Sequence, residues 1–254
     1  MKFKKIISAL LLSVALVGGG LFHAQSVEAA LNKKQAIAII AKDEQNPTSL
    51  QMEQTTTTKY RKKTTTTTEQ SVFNSQKGLF HIISTTKTGK KTETTEQWVD
   101  LDSKRLYSKQ KGQWQYDTLP DFLITELNKL KNSKALKKYN KGIYQEMGKN
   151  AKITNNNETY TVKGKVSGKK LLRSTLGMLG QANTKSLLKS FKFSNCKFVY
   201  TIKDQKIVTS YVSLKASFAK TMHVRVKQSK SNFGDFNNLQ LPDEVKNAPA
   251  NPLK

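Results

Sequence analysis

Cysteine is almost absent, since Cys196 stands alone among 254 residues. One thiol excludes a disulfide framework, and its place in an alternating apolar pattern puts it on a dry face as an inert buried side chain. No lipid-accepting cysteine follows the N-terminal apolar run. Histidine occurs 3 times. His23 lies in the N-terminal segment, and His81 and His223 stand in strand-like sequence without a neighbouring Cys or HxxxH spacing, so the sequence offers no recognisable metal site. Acidic residues number 18 against 44 Lys and Arg. Glu93, Glu96, Asp100 and Asp102 lie close enough in sequence for paired-carboxylate chemistry. Cationic neighbours should keep them ionised, whereas a general acid needs a raised pKa. A Gly-x-Ser-x-Gly elbow is missing. The stretch from Gly142 to Lys149 has one residue too many for a phosphate loop, with Asn150 where Ser or Thr belongs. These absences point to a protein that is not an enzyme and needs no cofactor or metal, with an envelope hydrolase kept as a third alternative.

Long apolar runs are missing beyond residue 17. The one that exists, Ile6 to Val17, follows Lys2, Lys4 and Lys5 and precedes Val27-Glu28-Ala29, which has small residues at both key cleavage positions. This is the pattern of a secretory signal peptide over residues 1–29, leaving residues 30–254 as a single domain. No later stretch approaches the roughly 20 apolar residues of a membrane span. Leu241-Pro242-Asp243-Glu244-Val245 lacks the Thr and Gly of a cell-wall sorting motif. The expected location is therefore outside the membrane, retained noncovalently at the cell surface.

What is present in excess is positive charge, formally +26. Such a surface attracts polyanions by simple attraction and counterion release. For an exported chain these are anionic lipid headgroups and teichoic acids, and nucleic acid is excluded by compartment. A lysine-rich exterior that only confers solubility is the plainer reading.

Strand signals dominate the rest. Cys196, Phe198, Tyr200 and Ile202 alternate with Lys197, Val199, Thr201 and Lys203. After Asp204-Gln205, the residues Val208, Val212, Leu214, Ala216 and Phe218 continue the dry face, and Met222, Val224 and Val226 extend it. The threonine-rich stretch from Met52 to Phe73 has the composition of a linker or stalk, but it lacks proline and runs directly into further strand signals. It reads as two exposed strands, hairpin-paired or long and bent. Leu79 to Thr86 and Thr92 to Leu101 follow, then Arg105-Leu106-Tyr107-Ser108 and Lys111 to Tyr116, with Trp98 and Trp114 packing on the sheet or forming a sugar platform. Gly142 to Ile153 and Glu158 to Val166 read as a further strand pair. Helical spacing appears at Lys33 to Asp43, at Asp121 to Tyr139 as one helix or a broken pair, and at Lys169 to Phe191, where Gly177 and Gly180 predict a kink or two short helices.

The fold class is α+β: a strongly curved antiparallel sheet, or incomplete β-barrel, with inserted helices packed on its concave face. A flat sandwich would leave the leucine-rich helices nowhere to bury.

Trp98-Val99-Asp100, Tyr107-Ser108, Gly112-x-Trp114, Phe233-Gly234-Asp235-Phe236-Asn237 and Leu241-Pro242-Asp243-Glu244-Val245-x-x-Ala248 carry a resemblance to the LolA/LppX-like superfamily of exported lipid and lipoprotein carriers, and more narrowly to its secreted relatives in Gram-positive bacteria. The resemblance covers nearly the whole chain after the signal. It implies an incomplete barrel around helices, with an apolar cavity for acyl chains. Candidate lining residues are Phe198, Tyr200, Ile202, Val212 and Leu214 from the sheet and Leu127, Leu130, Leu172, Leu176 and Leu179 from the helices. The alternative is that they pack together as a dry core. Lys169, Lys170, Arg173, Lys185 and Lys189 are candidates for an anionic head. The expected partner is a lipid or lipid-linked glycan. The alternative is an anionic envelope polymer bound without an internal ligand. Two departures, the missing anchoring cysteine and the basic excess, fit an envelope-binding protein better than a free carrier.

Overall fold

The computed structural model describes residues 31–45, 47–122, 125, 134–172, 190–218 and 221–252. Twelve antiparallel strands build it: β1 (Ser49–Tyr60), β2 (Lys63–Asn74), β3 (Leu79–Thr88), β4 (Lys91–Asp100), β5 (Arg105–Gln110), β6 (Gln113–Thr118), β7 (Lys152–Asn156), β8 (Thr159–Val166), β9 (Phe191–Phe193), β10 (Cys196–Lys203), β11 (Lys206–Phe218) and β12 (Met222–Ser231). They form one sheet in the order β6-β5-β4-β3-β2-β1-β12-β11-β10-β8-β7, with β9 pairing β11 beside β10. Since β6 and β7 lie at opposite ends of this order, the sheet is curved but not closed. Threonine supplies the central strands because its branched side chain suits a pleated surface and its hydroxyl pairs across strands. Thr65 bonds Thr88 and Thr67 bonds Thr86, both at 3.0 Å.

Three named helices accompany the sheet: α1 (Lys33–Gln45), α2 (Lys134–Asn150) and the single turn α3 (Asp243–Lys246). A reciprocal capping box starts α1. Asn32 Oδ1 accepts the Gln35 N–H at 3.0 Å and Gln35 Oε1 accepts the Asn32 N–H at 2.9 Å, which satisfies two otherwise orphaned donors. Its buried face, including Ala36, Ile37, Ile40 and Ala41, joins Leu136, Tyr139, Tyr144 and Met147 of α2 over β8, β10 and β11. This main core lies on the concave face.

A second apolar cluster lies on the opposite face. Trp98, Tyr107 and Trp114 pack there against Val245 and Ala248, so both tryptophans are covered by the C-terminal segment. Trp114 Nε1 donates to Glu244 Oε1 at 3.2 Å. Beyond it the chain lies along β6, where the Tyr116 N–H donates to Pro249 O at 3.0 Å and the Asn251 N–H to Tyr116 O at 2.9 Å. The Phe233-to-Asn237 motif is a lock. The Gly234 N–H reaches Ser49 O at 2.8 Å from a backbone with φ of 89°, and Asn74 Nδ2 donates to the carbonyls of Phe236 and Asn237 at 3.1 and 3.0 Å. Asn74 Oδ1 meanwhile accepts the N–H groups of Gln76 and Lys77.

Two sequence expectations are corrected. Gly142 to Ile153 is not a strand: α2 continues to Asn150 and only Lys152–Asn156 is extended. The buried positions Leu136, Tyr139, Asn140, Tyr144 and Met147 recur at helical intervals, which outweighs the two glycines. The helix also comes close to α1 at Gly148, where an added Cβ would lie 3.8 Å from Ile37. The second correction concerns Val208, which is 44% exposed while Ile207 is buried. A register shift between Thr201 and Ile202 pairs Ile202 with Ile207 and leaves Val208 out of the alternation.

A concave face with a buried polar strip and a half-buried apolar row

Side chains that pair directly across antiparallel strands share a face, so the registers map the concave surface row by row. One row runs Leu50, Phe73, Phe80, Val99 and Leu106 across β1 to β5. Leu50 is buried, whereas Phe73, Phe80, Val99 and Leu106 are half-buried and belong to neither cluster. The Phe73 and Phe80 rings stack at 5.7 Å. Two residues along each strand, the next row holds Tyr200, Ser210, Lys230, Met52, Ser71 and Ile82. The following row holds Phe198, Val212, Gln228, Gln54, Glu69 and Ser84. A polar strip therefore crosses the middle of the face, and Gln54, Ser71, Ser210, Gln228 and Lys230 are all buried.

Burying such groups is tolerable only when they are paired. Gln228 Nε2 donates to Gln54 Oε1 at 3.1 Å. The Lys230 ammonium meets the Glu44 carboxylate of α1, with both side chains buried. Glu44 also accepts the Tyr200 hydroxyl, and burial together with this neighbouring carboxylate pushes the phenol well above its ordinary pKa. One residue earlier, Asp43 Oδ2 accepts the Ile207 N–H at 2.8 Å beside the bulge. Desolvation raises the Asp43 pKa, with that hydrogen bond acting the other way. Thus the end of α1 is keyed to the sheet by two adjacent carboxylates. Glu69 differs, because it has no hydrogen bond or ion pair among the described residues, and desolvation alone raises its pKa.

Phe198, Tyr200, Ile202 and Leu214 lie in the main core with Val212 packed against it, and Leu172 is buried in the helical turn at 168–172. Among the described residues, these candidates pack with α1 and α2 at this end of the sheet. Leu127, Leu130, Leu176 and Leu179 lie outside the described residues, as do Arg173, Lys185, Lys189 and the signal segment. Lys169 is exposed. Lys170 is exposed but already bound to Glu146 Oε2 at 2.6 Å, and this contact holds the Glu146 carboxyl below the usual carboxylate range.

The four carboxylates considered for hydrolysis do not converge. Glu96 contacts His81 at 3.0 Å and Lys109 at 3.6 Å on the outer face. Asp100 Oδ1 accepts the turn N–H groups of Asp102 and Ser103, and Glu93, an odd number of residues from Glu96, points the other way with Lys91 3.8 Å off. Among the described residues no group of three or more metal-ligating side chains gathers, and no helix is long and apolar enough to cross a membrane.

Sequence reasoning missed Glu44, Gln54, Glu69, Gln228 and Lys230. The signal was there for three of them: the alternation of Met222, Val224 and Val226 continues into Gln228 and Lys230. Glu44 likewise follows Ile37, Ile40 and Ala41 on the apolar stripe of α1.

These features define an open, curved antiparallel sheet with helices seated on its concave side. Within that class, the chain belongs to a family of unknown function, DUF6612, whose model matches residues 26–250. Among solved structures it is similar to LprF from Mycobacterium bovis, at 13% identity and a TM-score of 0.41, over 84% of this chain and 96% of that one. It is also similar to a β-barrel-like protein of the DUF1849 family from Brucella abortus, at 10% identity and a TM-score of 0.26, over 72% of this chain and 96% of that one. No curated protein matches the sequence.

Proposed function

We propose that this protein binds an amphiphile, with acyl chains along the Leu50-Phe73-Phe80-Val99-Leu106 row and the polar head toward the strip that contains Ser71, Ser84 and Glu69. The observation that carries this reading is the half-buried state of Phe73, Phe80, Val99 and Leu106 on the concave side of an open sheet, while α1 and α2 pack on the neighbouring β8–β11 surface. The resemblance of the hairpin and tail motifs to the LolA/LppX-like carriers supports the same class of guest. So does the energy available: each buried CH₂ contributes about 0.8 kcal/mol, so six methylenes supply roughly 5 kcal/mol. Glu69 favours a head that donates hydrogen bonds, such as a glycan hydroxyl or an amine. The reading carries with it a location at the cell envelope.

The test is organic extraction and native mass spectrometry of the purified protein, together with titration of a fluorescent fatty-acyl probe. A co-purifying amphiphile is expected, with probe affinity falling at least tenfold in Ile82→Trp and unchanged in the outer-face variant Ile83→Thr. Absence of both extractable amphiphile and probe binding would overturn the reading.

A further inference from the structure

The convex face carries a second feature, independent of the concave row. Where β9 gives way to β10 along the flank of β11, the sheet is dented. The Ser194 N–H donates to Lys215 O at 2.8 Å, and Ser194 Oγ accepts the Lys215 N–H at 3.0 Å, so the chain crosses from one short pairing to the next at that point. The dent opens as a cleft of ≈ 450 Å³. The registers place two rows of side chains in it: Thr57, Arg225 and Lys215 in one, and Lys59, His223, Ser217 and Lys192 in the next. Successive outward positions on a strand are about 6.8 Å apart and neighbouring strands about 4.8 Å. Four permanent cations therefore line one cleft at this spacing. No carboxylate lines it among the described residues, and none of the four makes an ion pair there.

Clustering like charge without counter-charge is unfavourable for folding alone and favourable only when an anion is bound. The arrangement matches repeated phosphate. A second cleft of ≈ 760 Å³ lies on the neighbouring strands β7, β8 and β10, lined in part by the outward-facing Lys152, Lys163, Lys165 and Lys197 and also by Glu146 of α2, whose carboxylate is already bound by Lys170. Lys197 stands in the row next to that of Lys215, opposite Ser213 and beyond it Lys227. An elongated ligand could thus run from one cleft to the other over β11 and β10.

We propose that the convex clefts bind a linear phosphodiester polymer of the teichoic-acid type, with Lys59, Lys192, Lys215 and Arg225 each engaging a phosphate and the Thr57 and Ser217 hydroxyls adding neutral hydrogen bonds. A polymer chain reaches into a dent, whereas a bilayer surface meets protruding groups and prefers apolar anchors beside them. Docking here leaves the concave row free for its own guest.

The experiment measures binding of the purified chain to poly(glycerol phosphate) over a range of salt concentrations, beside vesicles of phosphatidylglycerol in phosphatidylcholine. Lys215→Glu with Arg225→Glu should weaken polymer binding at least tenfold and reduce the slope of log K against log salt by roughly 1 to 2. Lys137→Glu with Lys141→Glu, an equal charge change on exposed positions of α2 on the other side of the sheet, should alter affinity less than twofold. Equal losses for both pairs would mean diffuse charge attraction and overturn the site. Vesicle binding as tight as polymer binding, with the same sensitivity to the Lys215 and Arg225 changes, would reassign it to a membrane surface and overturn the polymer. Circular dichroism of each variant establishes that the sheet is retained, and Lys215→Gln with Arg225→Gln repeats the comparison without introducing carboxylates.

Discussion

The contact between Glu44 and Lys230 joins the first helix to a strand nearly two hundred residues later, and its worth can be measured. Both side chains are almost wholly buried, 2% exposed for Glu44 and 8% for Lys230, so removing one partner strands a charge in a medium that solvates it poorly. Breaking such a pair costs about 3–5 kcal/mol, whereas replacing both members by apolar groups of similar volume is close to neutral. Glu44→Leu should fall at the upper end, because it also deprives the Tyr200 hydroxyl of its acceptor. Lys230→Met should fall at the lower end, because Tyr200 still serves the carboxylate. In the double variant only the phenol remains unsatisfied, a cost of about 1–2 kcal/mol. The coupling between the two changes should therefore exceed about 3 kcal/mol. Since about 1 kcal/mol shifts the midpoint of a chain this size by roughly 2–4 °C, each single variant should lose on the order of 10 °C and the double should recover most of it. Urea denaturation followed by far-ultraviolet circular dichroism gives all four corners of the cycle. Additive single effects, or single losses below about 1 kcal/mol, would refute a buried and mutually dependent pair.

Three further outcomes follow from the same surfaces. Glu69 has a folded pKa raised by desolvation, so the folded state holds its proton more tightly than the unfolded chain, and stability falls as pH rises from the ordinary carboxylate range through the raised value. Glu69→Gln should accordingly stabilise the protein at pH 7, an advantage that disappears below about pH 4, where both states are protonated; equal gains at both values would contradict the assignment. Burial pushes the Cys196 thiol up to about 12, so iodoacetamide should leave it unmodified in native protein and label it fully in urea. Gly164→Ala places a Cβ 2.6 Å from the Phe198 ring and 2.7 Å from Asn150 O, and the resulting shift of strand against helix should cost about 1–3 kcal/mol in the denaturation midpoint.

Most of the sheet was legible because its signals are local. Alternation over Cys196–Lys203 and Met222–Ser231, and turn residues such as Gly89, fix strands whether or not their partners are known. The threonine hairpin was legible for the same reason. The first part of the predicted Gly142-to-Ile153 strand was not, since two glycines lower helical propensity by roughly 1 kcal/mol each and hide a stripe whose packing against α1 outweighs them. The bulge that exchanges Ile207 for Val208 depends on a tertiary contact, the Asp43 carboxylate on the Ile207 N–H, which no window of sequence contains. For the candidate site the limit was chemical. Apolar residues were sought for a cavity, and among them Phe198, Tyr200, Ile202 and Leu214 belong to the main core with α1 and α2. The half-buried row lies on β2 to β5, where Phe73, Phe80, Val99 and Leu106 each stand beside an apolar residue of the other face, Val72, Leu79, Trp98 and Tyr107, so alternation alone does not assign them a side and the row becomes visible only when registers align them.

The C-terminal segment along β6 has a consequence for solubility. An unclosed sheet ends in rows of unpaired backbone groups, which template association between chains. On one flank Pro249 and Asn251 occupy the groups of Tyr116. The other flank, β7, is only 5 residues long and carries Lys152 and a run of asparagines. Trimming the chain before Leu239 would therefore do more than bare Trp98, Tyr107 and Trp114. It would unmask a sticky margin, and filament or aggregate formation should follow from a deletion that touches neither the acyl row nor the cationic clefts.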